Sequence, residues 1–259
     1  MTHQDLQLGA SENLLRTYFS LGLAIPNSTV LTEDGFRACL GEFEHPICNF
    51  AAGLHLDPWS AKQLASLAAN KRAFNVYALP GDTPRHLAEL LRRCDFRVTY
   101  RLVQMVAEPV GRSYDAHIVR ADTPAARFEI SRFMTEQFFG RQTESFRSKV
   151  AQATADAGEL ELYELIAYDQ RSGALMLCPG DSVVGVYNLC VASARRGLGL
   201  GKVLTAWALS EAAKAGKVVT LQCDTRLMDW YAAQGFRATG MIDVYTLSKP
   251  VRGDIMDNV

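Results

Sequence analysis

The sequence predicts an α+β protein built from two similar units, each a mixed, mostly antiparallel sheet flanked by helices. Three observations carry this expectation. The second half alternates β-patterned and helix-patterned runs separated by turn residues. A short segment rich in breakers, Glu108-Pro-Val-Gly-Arg-Ser113, interrupts the chain near its middle. Leu91-Arg-Arg-Cys-Asp-Phe-Arg97 lies beside Tyr231-Ala-Ala-Gln-Gly-Phe-Arg237 element for element, the mark of a duplicated unit. Residues 1–111 and 112–259 are therefore expected to be two domains of ordinary size.

The 259 residues carry 27 Lys+Arg against 28 Asp+Glu, and they are 48% hydrophobic and 21% charged. That balance describes a soluble globular chain long enough to bury a core. A net charge of −1 gives no general electrostatic reason to bind nucleic acid or an acidic membrane surface. No apolar run approaches the roughly 18 residues of a membrane span, and Met1–Ala10 lacks a secretory pattern; a cytoplasmic location is expected. The six cysteines are scattered without a C-x-x-C pair, and the five histidines lack ligand spacing, so neither a metal nor a disulfide framework is expected.

In the second half, Ala116–Arg120 reads as a strand, Thr123–Phe139 as a helix stopped by Gly140, and Glu144–Ala157 as a second helix. Leu160–Tyr168, Gly173–Cys178 and Ser182–Val191 read as strands joined by Asp169–Gly173 and Pro179–Asp181 turns, hence antiparallel. After a glycine-rich turn comes a helix from about Lys202 to Ala215, then a strand at Lys217–Cys223. A helix at Arg226–Gln234 and an extended Phe236–Leu247 complete this half. In the first half the corresponding readings are a helix at Leu14–Leu23 and strands at Gly35–Phe43 and Ile47–Leu56. A helix from Pro58, a strand at Ala73–Leu79, a helix at Thr83–Arg93 and a strand at Phe96–Ala107 follow.

The turn Arg195-Arg-Gly-Leu-Gly-Leu-Gly201 is the segment that points to chemistry. It joins a strand to a helix, yet it is neither a dinucleotide fingerprint, whose last glycine falls on Lys202, nor a P-loop, which needs Ser or Thr where Val203 stands. A phosphate group must approach backbone amides closely, and glycines at 197, 199 and 201 remove the Cβ atoms that would obstruct it. The following helix contributes unpaired amides and the positive end of its dipole, while Arg196 and Lys202 can add full charges. A tight turn needing positive φ explains one glycine easily and three alternating ones poorly.

With Leu189-Cys-Val191 before the turn, Val218–Cys223 after its helix, and Tyr231 ahead of Gly235-Phe236, the segment from Ala116 to Leu247 resembles the GNAT superfamily of acetyl-CoA-dependent N-acetyltransferases. The resemblance implies acetyl-CoA as co-substrate, with the pyrophosphate on Arg196, Gly197, Leu198, Gly199, Leu200, Gly201 and Lys202. It implies that Ser182–Val191 splays from Lys217–Cys223, and that backbone groups of Leu189, Cys190 and Val191 hold the pantetheine arm. The implied reaction is attack of a neutral amine on the thioester, through a tetrahedral intermediate to CoA thiolate. Tyr231 is then the acid; from the residues alone it reads as an aromatic packed beside Trp230.

The glutamate found on the central strand of some GNAT members falls at Gly185 here, so the base is open among Glu161, Glu164, Asp181 and a water chain. Ser193 and Asp224 also replace a proline and an asparagine often found in the family. The first half lacks the cofactor turn: Leu54-His-Leu-Asp-Pro-Trp-Ser60 has no glycine, Asp57 would repel phosphate, Pro58 removes an amide, and Leu91 stands in the place of Tyr231. It is expected to prop the second half and wall the acceptor cleft, with Glu42, Glu44 and His45 as acceptor-site candidates or an idle solvated loop. The acceptor is expected to be an amine on a small molecule or a protein terminus. A non-catalytic acyl-CoA sensor or scaffold, and a protein-acetylating regulator, are the alternatives.

Overall fold

The computed structural model describes residues 2–111 and 116–248. Arg112 and Ser113 of the expected linker, and with them the expected domain boundary, lie outside the described residues. The first half runs α1 (His3–Leu23), β1 (Thr29–Glu33), β2 (Phe36–Leu40), β3 (Asn49–Ala52), α2 (Pro58–Ala69), β4 (Asn75–Ala78), α3 (Leu87–Arg93) and β5 (Phe96–Ala107). The second runs β6 (His117–Arg120), α4 (Pro124–Phe139), α5 (Glu144–Asp156), β7 (Glu161–Ala167), β8 (Gln170–Pro179), β9 (Val183–Val191), α6 (Leu200–Lys214), β10 (Val218–Asp224), α7 (Met228–Ala232) and β11 (Arg237–Leu247).

The two expected sheets are fused edge to edge into one of eleven strands, in the order β1-β2-β3-β4-β11-β5-β10-β9-β8-β7-β6. The fusion is an exchange. β11 leaves the second half to pair with β4 of the first, while β5 leaves the first half to pair with β10 of the second, and the two long strands pair with each other. Among the described strand pairs only β3–β4 and β9–β10 are parallel, because each pair is joined by a crossover helix, α2 or α6.

α1 lies across one face of this sheet. Its start is fixed by a capping box in which the Thr2 hydroxyl accepts from Asp5 N and the Asp5 carboxylate accepts from Thr2 N. It is longer than the apolar pattern predicts because buried polar residues interrupt that pattern. Asn13 Nδ2 donates to Cys178 O at 2.9 Å, Ser11 Oγ donates to Gln104 Oε1 at 3.3 Å, and Thr17 Oγ1 donates to Asn13 O at 2.9 Å. Leu14, Met176 and Tyr187 belong to the core on this face. α6 and α7 cover the opposite face, where Leu204, Val186, Leu221 and Tyr231 pack together.

The parallel pair of the first half ends in a closed gap. After Phe50↔Asn75 and Ala51↔Val76, the chain doubles back so that Thr83 N donates to Leu54 O at 2.9 Å and Leu56 N donates to Thr83 O at 3.0 Å. A length of this chain therefore occupies the space between the strands. The start of α2 is filled in the same manner, since Asp57 Oδ1 accepts from Trp59 N and Ser60 N at 2.9 and 2.7 Å.

Within that closing segment, burial pushes the Asp82 carboxyl up to about 6, against the lowering effect of the Leu79 amide that donates to it at 2.8 Å. A carboxyl raised above its unfolded value costs stability once it ionises, so the cost is absent near pH 4 and grows as pH rises through 6. Asp82→Asn is therefore expected to stabilise the protein by about 2 kcal/mol near pH 7.5, with the gain vanishing near pH 4. Urea unfolding at the two pH values checks this; an equal gain at both would refute it.

Candidate functional site

β9 and β10 pair through Val183↔Val218, Val184↔Val219 and Gly185↔Thr220, and then part. From Val186 onward β9 has no strand partner on that side among the described residues. A bulge deepens the parting: Tyr187 pairs with Met176 and Cys190 with Ala174, so Asn188 and Leu189 together face Leu175, and Asn188 takes a φ of 47°. The result is a cleft of about 250 Å³ that passes through the sheet. Leu221, Cys223 and Tyr231 line it from the α7 face, while Met176 and Tyr187, beneath α1, line it from the other.

The glycine turn begins where β9 ends. Gly197 and Gly199 have φ of 82° and 79°, and a Cβ on either would meet nothing within 4 Å. These two are glycine for their backbone conformation. Gly201 differs: it lies in the first turn of α6, and a Cβ there would sit 3.4 Å from the Trp230 ring. α6 starts at Leu200, two residues before the expected Lys202, with left-handed Gly199 as its cap and no capping side chain. Among the described residues no protein group accepts from the amides of Gly197 to Gly201, as suits an anion at a helix start.

The remaining expected site residues divide by role in the structure. Arg196, Leu198 and Lys202 are exposed around the turn, and Arg196 Nε reaches Val191 O only at 3.4 Å. Leu200 and Val191 pack on the core beneath the turn. Leu189 lines the cleft, whereas Cys190 points into the α1-side core, where burial pushes its thiol up to about 12. Backbone rather than side chain is what these three strand residues offer to a ligand.

Tyr231 is 8% exposed, held edge-on between Trp230 at 4.7 Å and Phe236 at 5.6 Å. Burial pushes its phenol up to about 12, with Cys223 adding a smaller effect, so it carries its proton throughout the neutral range. The aromatic contact with Trp230 and the position in the cleft wall coexist.

The expected bases fall elsewhere. Glu161 is paired with Arg120 and accepts from the Tyr163 hydroxyl, Glu164 is paired with Arg171, and none of Glu161, Glu164 and Asp181 lines the cleft. Gly185 is glycine for a physical reason, because a Cβ there would overlap Asn13 Oδ1 and the Tyr187 ring. The carboxylate that does line the cleft is Asp224, held down to about 2 chiefly by hydrogen bonds from Arg226, whose Nε and Nη2 donate at 2.8 and 2.9 Å. Among the described residues no three metal-ligating side chains converge on a common point.

Of the first-half candidates, Glu42 is exposed and Glu44 pairs with Arg72 in solvent. His45 is not idle. It sits among Phe43, Phe139 and Phe146 at 5.8, 5.8 and 5.1 Å, joining the first half to α4 and α5, and none of the three lines the cleft. From the first half, Leu102 of β5 lines it, as do Thr17, Tyr18 and Leu21 of α1; sequence reasoning missed these three helix residues. Their only sequence signal is a helix whose polar residues fall inside its apolar stripe.

The family model for an acetyltransferase (GNAT) domain matches residues 132–244. Those residues form a GNAT domain. The fold recurs across nearly the whole chain in a GCN5-related N-acetyltransferase from Kribbella flavida, 13% identical, with a TM-score of 0.65 over 92% of this chain and 95% of that one. A functionally unknown conserved protein from Staphylococcus epidermidis is 16% identical, with a TM-score of 0.64 over 85% and 93%. A tandem GNAT protein from the clavulanic acid biosynthesis pathway is 13% identical, with a TM-score of 0.59 over 90% and 94%. No curated protein matches the sequence. The GNAT domain is thus preceded by a second unit of GNAT-like fold, and the two share one sheet. No helix among the described residues is long and apolar enough to cross a membrane.

Proposed function

We propose that the GNAT domain transfers an acetyl group from acetyl-CoA to an amine, both substrates bound together. The observation that carries this reading is the parting of β9 from β10 after three paired residues, with unpaired turn amides beyond one strand and Tyr231 in the wall. Gly197–Gly201 and Arg196 and Lys202 would hold the pyrophosphate, and the unpaired edge of β9 would hold the pantetheine arm as an added strand does. Acetyl-CoA supplies the acetyl group already activated as a thioester. The amine nitrogen bonds to the acetyl carbon, the carbon–sulfur bond breaks, and the proton lost by nitrogen is matched by one gained at sulfur.

Tyr231 is proposed to donate that proton. A phenol raised to about 12 is a weak acid in water, but sulfur leaving into the same buried cleft is deprived of solvent too, and the short transfer is favoured by proximity. Tyr231→Phe is expected to lower kcat about a hundredfold while leaving acetyl-CoA affinity within threefold. Steady-state CoA release and calorimetry measure the two quantities separately. Gly185, where some family members carry a glutamate, favours a second reading as a non-catalytic acyl-CoA sensor. Under that reading no amine releases CoA, although saturating acetyl-CoA at about a hundred times its Kd still adds about 2.7 kcal/mol of stability.

A further inference from the structure

The cleft wall on the α1 side bears on which amines can be accepted, and the inference rests on the transferase reading above. Three residues of α1, Thr17, Tyr18 and Leu21, form that wall together with Phe138 of α4. Thr17 is fully buried and its hydroxyl is spent on Asn13 O. Beneath them lie Tyr187, whose hydroxyl donates to Asn13 Oδ1 at 2.8 Å, and Gln222, whose Nε2 is buried with no hydrogen-bond partner. These groups are apolar or neutral. Asp224, the carboxylate in the lining, is held by two guanidinium hydrogen bonds from Arg226. Neither a free negative charge nor a free proton acceptor is presented to an incoming ammonium by the described residues.

Two physical consequences follow. A cation entering this cleft would surrender its hydration and meet only a carboxylate already paired with Arg226, which disfavours the charged form of an amine there. An alkylamine with a pKa near 10 is neutral to only about one part in a thousand at pH 7, and nothing in the wall would strip the proton from the rest. Size is also limiting, since about 250 Å³ falls below the roughly 300–1,000 Å³ of sites for drug-sized ligands.

We infer that the acceptor is a small amine largely uncharged at neutral pH, such as an arylamine or an arylhydrazine, with its apolar body against Tyr18 and Leu21 and a polar group facing Gln222. The first half thereby contributes a specificity wall although its own gap is closed. Polyamines and lysine side chains are poor acceptors on this account.

The test compares CoA release with aniline, phenylhydrazine, benzylamine and spermidine at pH 7, in the full chain and in Gln222→Glu. For the unaltered protein, kcat/KM for aniline or phenylhydrazine is expected to exceed that for benzylamine at least tenfold, with spermidine inert. Gln222→Glu places a carboxylate on the same skeleton in the cleft, and is expected to shift that ratio at least tenfold toward benzylamine. Preference of the unaltered protein for benzylamine or spermidine overturns the inference and leaves the transferase reading intact. Absence of CoA release with every amine, while acetyl-CoA still raises Tm, overturns both. The ratio in the unaltered protein decides the matter even where Gln222→Glu fails to fold.

Discussion

Gly185→Glu is expected to unfold the protein rather than restore a base. The substitution places a carboxylate where the sequence resemblance to GNAT proteins would put one, yet α1 of the first half already fills that space. A Cβ at residue 185 overlaps Asn13 Oδ1 and the Tyr187 ring, and both belong to a buried network that also binds Cys178 O. Overpacking of such a site costs about 1–3 kcal/mol, and burying an unpaired carboxylate beside Tyr187 adds several more. The total, roughly 4 kcal/mol or more, is comparable to the whole margin of a typical domain. Gly185→Ala isolates the steric part at about 2 kcal/mol. Combining it with Asn13→Ala is expected to recover part of the loss, with a coupling of about 1 kcal/mol. Chemical denaturation of the four proteins checks the cycle; strict additivity would show that Asn13 is not what excludes a side chain from residue 185.

Gly197→Val with Gly199→Val is expected to weaken acetyl-CoA binding about a thousandfold, close to 4 kcal/mol. Both positions lie in the left-handed region, at φ of 82° and 79°, where a β-branched residue costs about 1–2 kcal/mol apiece. Because a Cβ at either would meet open space, the fold can absorb the change and the main loss falls on the ligand. The strained turn would relax toward negative φ, turning the amides of residues 197–201 away from a common point, while two branched side chains screen them from an anion. Calorimetric titration measures the affinity, and thermal unfolding of the free protein, expected to fall by only a few degrees, shows that the fold survives. Unchanged affinity would remove the turn from the pyrophosphate site.

Much of this was legible in the sequence because it is written in local spacing. β5 runs over Phe96–Ala107 as its pattern predicts, and α2 starts at Pro58 behind Asp57 as the capping residues require. The α+β class, the glycine turn between strand and helix, and the resemblance to GNAT proteins all rest on residues near one another in the chain. β1 was missed because Thr29–Glu33 is an edge strand without a fully buried face, so no alternation marks it. α1 was cut short because Ser11, Asn13 and Thr17 are polar yet buried; Thr17 bonds back to Asn13 O within the helix, but the partners that make the burial of Ser11 and Asn13 tolerable lie far away on β5, β8 and β9.

What the sequence by itself determined is most of the elements, β1 excepted, their order, and the turn that suits a phosphate; each depends on φ preferences and periodicity over a few residues. The tertiary structure alone decided the exchange of β5 and β11, the closing of the first-half gap by Thr83, the pinning of Asp224 by Arg226, and the placement of α1 over the cleft. The Asp224–Arg226 pair spans two residues, yet its bearing on the site depends on which strand edge faces the cleft. The others join residues dozens to more than a hundred positions apart, and no local pattern encodes which distant strand a hydrogen-bonding edge will meet. Gly185 shows the division most plainly: in the sequence it is a missing glutamate, and in the fold it is the room taken by Asn13.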